Sequence, residues 1–183
     1  MKRIVSAILL LLTLALAASA GANLLTNGSF EQKSLGWNPY GTPWNSEYWK
    51  FGQYWEVPDG TFCAYVDPFS GDPWEVSWLE SLDTFSGTFT LTLWARHYNA
   101  HLTSGIWLYA GIGDDVHSVL IDSEEWRELS FARTGTGPLR LGAYGPGDNF
   151  LLLDDVRLVA VPEPTGLLAL AIPAAWCLTR RRK

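Results

Sequence analysis

The sequence predicts an all-β protein: a two-sheet β-sandwich of jelly-roll type. Three observations predict it. Short runs alternate apolar and polar residues, Gly, Pro, Asp and Asn punctuate the chain about every ten residues, and no window of the middle region sustains amphipathic-helix spacing. In chain order the strands are expected at 48–57, 62–66, 76–82, 88–95, 105–110, 116–121, 125–131, 139–144 and 150–159. The cleanest is Thr88-Phe89-Thr90-Leu91-Thr92-Leu93-Trp94, with Phe89, Leu91 and Leu93 on one face and threonines on the other. Arg127-Glu128-Leu129-Ser130-Phe131 alternates in the same way. Eight or nine such strands are the pattern of a two-sheet sandwich.

Composition divides the 183 residues into three parts. Residues 1–20 and 161–183 are apolar and basic, which leaves 140 residues between them, enough for one domain with a core and too few for two. Residues 21–160 hold 18 Asp and Glu against 7 Lys and Arg, a net charge of −11. A surface that acidic repels phosphate backbones, so nucleic acid is not an expected partner. Cys63 falls in the domain and Cys177 in the tail, so no disulfide is expected within the domain. Cys63, inside Phe62-Cys63-Ala64-Tyr65-Val66, reads as a small buried apolar residue.

The two ends read as addresses. Met1-Lys2-Arg3, the apolar run 4–18 and Ala18-Ser19-Ala20 have the order of a secretory signal peptide, 1–20, cut by signal peptidase. At the other end Val161-Pro162-Glu163-Pro164 precedes an apolar segment interrupted by Pro173, then Arg180-Arg181-Arg182-Lys183. That segment is shorter than the roughly 20 residues a spanning helix needs, and its terminal cations favour the cytoplasmic side. The motif, short apolar helix and Arg cluster together resemble the PEP-CTERM sorting signal. The resemblance implies recognition by an exosortase, transient attachment to the inner membrane through the tail, and a destination at the cell surface or outside the cell.

The last strand, Leu151-Leu152-Leu153-Asp154-Asp155-Val156-Arg157-Leu158, is expected to place Asp154 on one face with Leu152, Val156 and Leu158. An ionised carboxylate in an apolar row costs several kcal/mol unless it is paired, coordinated or protonated. A hard cation with oxygen ligands answers that need, and Ca²⁺ accepts mixed carboxylates and carbonyls. Asp155 is expected to be solvated or paired with Arg157. Asn23-Leu24-Leu25-Thr26-Asn27-Gly28-Ser29-Phe30-Glu31, taken with the Asp154-Asp155 strand, resembles the opening and closing strands of carbohydrate-binding modules of families four, nine and twenty-two, which are galactose-binding-like jelly rolls. The resemblance implies a structural Ca²⁺ where the chain's first and last strands meet. Glu31 and Asp154 would supply carboxylates and Ser29 a carbonyl, with Asp59 and the carbonyl of Phe62 completing the set.

Nine of the ten tryptophans lie in the domain, too many rings for a small sandwich to bury. Exposed indoles and phenols suit the C–H faces of pyranose rings, with nearby Asp, Asn or Gln bonding the hydroxyls. Trp74, in the turn Gly71-Asp72-Pro73-Trp74-Glu75, is the leading sugar-stacking residue, and Tyr40, Trp44 and Trp49 are further ones. Trp94, Trp107 and Trp126, within strands, read as structural. Catalysis finds no constellation: there is no G-x-S-x-G, no H-E-x-x-H, and Cys63 has no partner set. The expected protein is therefore exported, processed at its C-terminus and binds polysaccharide without catalysis. The alternative is a structural surface or biofilm component that acts through protein contacts and has no sugar ligand.

Overall fold

The alternating runs resolve into eight strands and, among the described residues, no helix. The computed structural model describes residues 22–40, 49–53, 56–68, 76–99, 105–145 and 149–161. The strands are β1 (Trp37–Tyr40), β2 (Lys50–Gln53), β3 (Phe62–Val66), β4 (Ser77–Asn99), β5 (Ile106–Ile112), β6 (Asp115–Ile121), β7 (Arg127–Tyr144) and β8 (Asn149–Ala160). Residues Asn23–Val159 form one compact unit.

Two long strands organise it. β4 and β7 run antiparallel from Ser77↔Ala143 to Ala95↔Arg127, with the register broken between Glu80 and Thr84. The first part of β4 pairs with β1, the last part of β7 with β5, and β5 with β6. That gives one layer, β1-β4-β7-β5-β6. The order β2-β3-β8-β4-β7 gives the other. A long ribbon passes from one layer to the next where an irregularity lets it bend, as at the corners of sandwiches. The expected strands 76–82 and 88–95 are thus one strand. Asp83, Ser86 and Gly87 look like turn residues, yet Thr84–Thr88 stay paired to Pro138–Thr134, with Gly87 opposite Gly135. Expected strands 125–131 and 139–144 are joined for the same reason.

One face of each layer makes a single core. Leu79, Phe89, Leu91, Leu93 and Ala95 of β4 meet Leu139, Leu141 and Ala143 of β7, with Leu108 and Ala110 of β5, Ala64 and Val66 of β3, and Leu151 and Leu153 of β8. Period-two alternation therefore puts Trp78, Trp94, Arg96 and Tyr98 of β4, and Cys63 and Tyr65 of β3, on the opposite faces. β8 breaks its own alternation. Asp155 has φ +45, and beyond it Val156 and Leu158 join the same core as Leu151 and Leu153. Asp154 therefore does not share a row with Val156 and Leu158, as unbroken alternation requires; it lies on the side of Leu152, opposite the core.

The segment before β1 lies along β8 without forming a strand of its own. Leu24 N–H donates to the Leu158 carbonyl (2.9 Å), and Val156 N–H donates to the Gly28 carbonyl (2.9 Å). A Cβ at residue 28 would fall 2.0 Å from the Val156 carbonyl oxygen, so only glycine permits this approach. Asn27 then closes the turn. Its Nδ2 donates to the carbonyls of Lys33 (2.9 Å) and Leu35 (3.0 Å), and its Oδ1 accepts Gln32 N–H.

Candidate functional site

The turn Asp59–Phe62 brings two of the expected carboxylates to neighbouring backbone amides. Asp154 Oδ2 accepts the Asp59 N–H at 2.8 Å, and Oδ1 accepts the N–H of Asp155 at 2.7 Å. Glu31 Oε1 accepts the N–H groups of Thr61 (2.6 Å) and Phe62 (2.7 Å). The turn can close over Glu31 because Gly60 has φ +69 and no Cβ, which would otherwise sit 2.3 Å from Glu31 Cδ. Ser29, half-buried, follows Gly28 on the stretch bonded to β8.

Asp154 is wholly buried, and burial pushes its carboxyl up to about 7. The two amide donors pull the other way, and the charges of Asp59 and Asp155 add to the rise. Cys63 is a free, buried thiol pushed up to about 12, first by burial and then by Asp154, so it is inert. Asp155 pairs with Arg157, its Oδ1 accepting the Arg157 Nε–H at 2.7 Å. Among the described residues no three Asp, Glu, His or Cys side chains converge to hold an ion by themselves. A cation at this turn would need carbonyl oxygens as well as the carboxylates. The expected donor set does supply both, and it is oxygen throughout, the chemistry a hard cation takes. Asp154 meets only backbone donors among the described residues, so its ionised form lacks a countercharge.

A second feature lies on the outer face of the layer that contains β3, β8 and the second half of β4. Tyr65 stands opposite Leu152 in register and contacts Phe150, with ring centroids 6.4 Å apart. Phe150 in turn contacts Tyr98, again at 6.4 Å, and Tyr98 is 47% exposed. Leu152, which also points away from the core, is fully buried. Arg96, beside Trp94 and Tyr98 on β4, stacks its guanidinium 5.3 Å from the centroid of Trp126. Both Arg96 Nε and Trp126 Nε1 are buried without an acceptor among the described groups. Glu128 stands opposite Trp94. Two unsatisfied donors thus lie on the face that carries Trp94, Tyr98 and Phe150, and such donors cost free energy until an acceptor arrives.

The expected sugar-stacking residues fare differently. Trp49 is buried in the core and donates its indole N–H to the Ser77 carbonyl at 3.1 Å. It is therefore a packing residue, because a backbone acceptor inside the sandwich satisfies its polar edge. Tyr40 pairs with Trp78 through the backbone. Trp44 and Trp74 lie outside the described residues, as does the Pro162–Lys183 tail. Conversely, Trp94 and Trp126, read as structural, stand half-buried on an outer face, and Trp107 is 41% exposed. Strand position had argued for packing, but the two faces of a half-buried sheet differ, and the alternation of Leu93 and Ala95 with Trp94 and Arg96 already held that signal.

No family model and no curated protein matches the sequence. Solved structures do match the fold. A CBM61 carbohydrate-binding module in complex with β-1,4-galactotriose is 16% identical, with 77% of this chain and 100% of that one covered, at a TM-score of 0.55. The K3 cleaved adhesin domain of Lys-gingipain from Porphyromonas gingivalis is 17% identical over 75% of this chain and 97% of that one, at 0.58. The CBM22-1 xylan-binding domain of Xyn10C from Paenibacillus barcinonensis is 14% identical over 79% and 99%, at 0.53. The chain thus has the β-sandwich fold of carbohydrate-binding modules.

Proposed function

We propose that the domain binds a polysaccharide without catalysis on the outer face built by Tyr65, Trp94, Arg96, Tyr98, Trp126 and Phe150. The observation that carries this is the pair of buried donors, Arg96 Nε and Trp126 Nε1, left without acceptors among aromatic rings. A sugar supplies what is missing, because its C–H faces stack on the rings and its hydroxyl oxygens accept from the guanidinium and indole. The xylan-binding and galactotriose-bound neighbours support the reading through their shared fold. Trp74, in the connection from β3 to β4, and Trp44 are proposed as further stacking rings.

Affinity electrophoresis against a panel of soluble glycans, followed by calorimetry on any that retard the protein, tests this. Tyr98→Ala and Trp126→Ala should each weaken binding about tenfold or more, the loss of one good contact. Unchanged affinity in both variants, or no retardation on any glycan, contradicts the proposal.

The chain's ends support an exported protein, cut by signal peptidase after residue 20 and by an exosortase at Val161-Pro162-Glu163-Pro164, with residence at the surface or in the extracellular matrix. Mass spectrometry of the mature C-terminus should find the Arg180-Arg181-Arg182 end removed; an intact tail on exported protein contradicts this. We propose also that Ca²⁺ binds at Ser29, Glu31, Asp59, Phe62 and Asp154, tying the segment before β1 and the Asp59–Phe62 turn to β8.

A further inference from the structure

The other layer carries its own aromatic face. Trp78 of β4 and Tyr109 of β5 both stand opposite Gly142 of β7, so the three form one row across the strands. The two rings lean together over the glycine, with centroids 6.1 Å apart at 56°. A Cβ at residue 142 would lie 2.7 Å from the Trp78 ring, so the absence of a side chain there lets the rings lie down on the sheet. In the next row on the same face, Trp107 stands opposite both Tyr144 and Leu120. Trp107 and Leu120 are 41% and 42% exposed. In the row on the other side, Glu80 and Gly111 flank Arg140.

The charges on this face exclude one class of ligand. Arg140 donates from Nε to Glu80 at 2.7 Å and from a terminal nitrogen to Asp114 at 2.9 Å, so two carboxylates already occupy the guanidinium. Asp115 follows Asp114 at the start of β6, and both are exposed. A polyanion would meet carboxylates here and no uncommitted cation among the described residues. An uncharged glycan meets ring faces across the middle and carboxylate oxygens at the rim, which accept from hydroxyls. A shallow, ring-paved strip with hydrogen-bond acceptors along one border fits an extended sugar chain.

We infer that this face is a second carbohydrate site, specific for uncharged polysaccharide, and that one sandwich engages two chains, one on the outer face of each layer. The inference rests on the reading of the domain as a polysaccharide binder, but it uses none of the residues of the first face. A protein with two such faces cross-links glycan chains, which a single-faced module cannot do as a monomer.

Calorimetry and light scattering on the purified protein test it, with soluble galactomannan and xyloglucan as neutral probes and alginate as the polyanion. Trp107→Ala with Tyr109→Ala disables the second face, and Tyr98→Ala with Trp126→Ala the first; circular dichroism melts confirm that each variant folds. The wild type should bind two equivalents of a neutral oligosaccharide and raise the scattering of the long polymer. Each single-face variant should keep one equivalent and lose the scattering rise. One equivalent in the wild type, unchanged by Trp107→Ala with Tyr109→Ala, overturns the second face and leaves the first standing. No binding to any neutral glycan removes the reading of the domain itself, and the second face with it. Alginate held as tightly as galactomannan by the protein with a disabled first face overturns the charge class. Sugar-free dimerisation that Trp107→Ala abolishes overturns the assignment in favour of a contact between copies.

Discussion

Asp154 is a wholly buried carboxylate that accepts the N–H groups of Asp59 and Asp155. The sequence identifies a carboxylate among leucines, and the structure buries it completely. Its neighbours could not be read from the strand alone, because the left-handed backbone of Asp155 shifts the alternation by one. Burial raises its pKa from 3.8 to about 7, so protonation favours the folded state. The stability that Asp154 contributes is therefore fully present at acid pH and is lost as pH rises through its folded pKa. In chelator, the melting temperature should fall between about pH 4 and pH 7, and Asp154→Asn should flatten that fall. Added Ca²⁺ should raise the melting temperature, most strongly at the alkaline end where the carboxylate is ionised. A melt indifferent to Ca²⁺ at every pH contradicts the metal proposal. Trp49 carries the opposite lesson. Within the aromatic stretch 37–55 nothing local distinguishes a packed indole from an exposed one; the deciding partner is the Ser77 carbonyl, 28 residues away.

At the scale of elements, the alternating runs were legible wherever one face was apolar. β3 has the expected bounds, and β5 and β6 differ from theirs by a residue or two. The continuity of β4 and β7 was not legible, because Asp83–Gly87 carries turn residues whose pairing depends on Thr134–Pro138 of a distant strand. The joining of the segment before β1 to β8 was legible as a resemblance, and its physical basis is the close backbone approach at Gly28. Gly28→Ala should destabilise the fold by about 3 kcal/mol, the upper end of ordinary overpacking, because the clash is with the backbone of β8 and no side chain can swing away. A denaturant midpoint within error of the wild type would contradict the role given to that approach.

For the whole molecule, the sandwich has two outer faces and each carries aromatic residues. Sequence composition announced the excess of rings but could not sort them. Only the pairing of β3, β8 and β4 sets Tyr65, Phe150 and Tyr98 side by side, and only the stacking of Arg96 on Trp126 reveals donors without acceptors. The acidic charge of the domain, legible from the start, fits an uncharged partner better than a polyanion. The most direct measurement is a titration of the isotope-labelled protein with neutral oligosaccharides, followed through the tryptophan indole N–H resonances. The account predicts that the Trp126 signal moves with saturable dependence on sugar while that of core-buried Trp49 stays fixed. Stationary indole signals at Trp126 and Trp94 across the panel would contradict it.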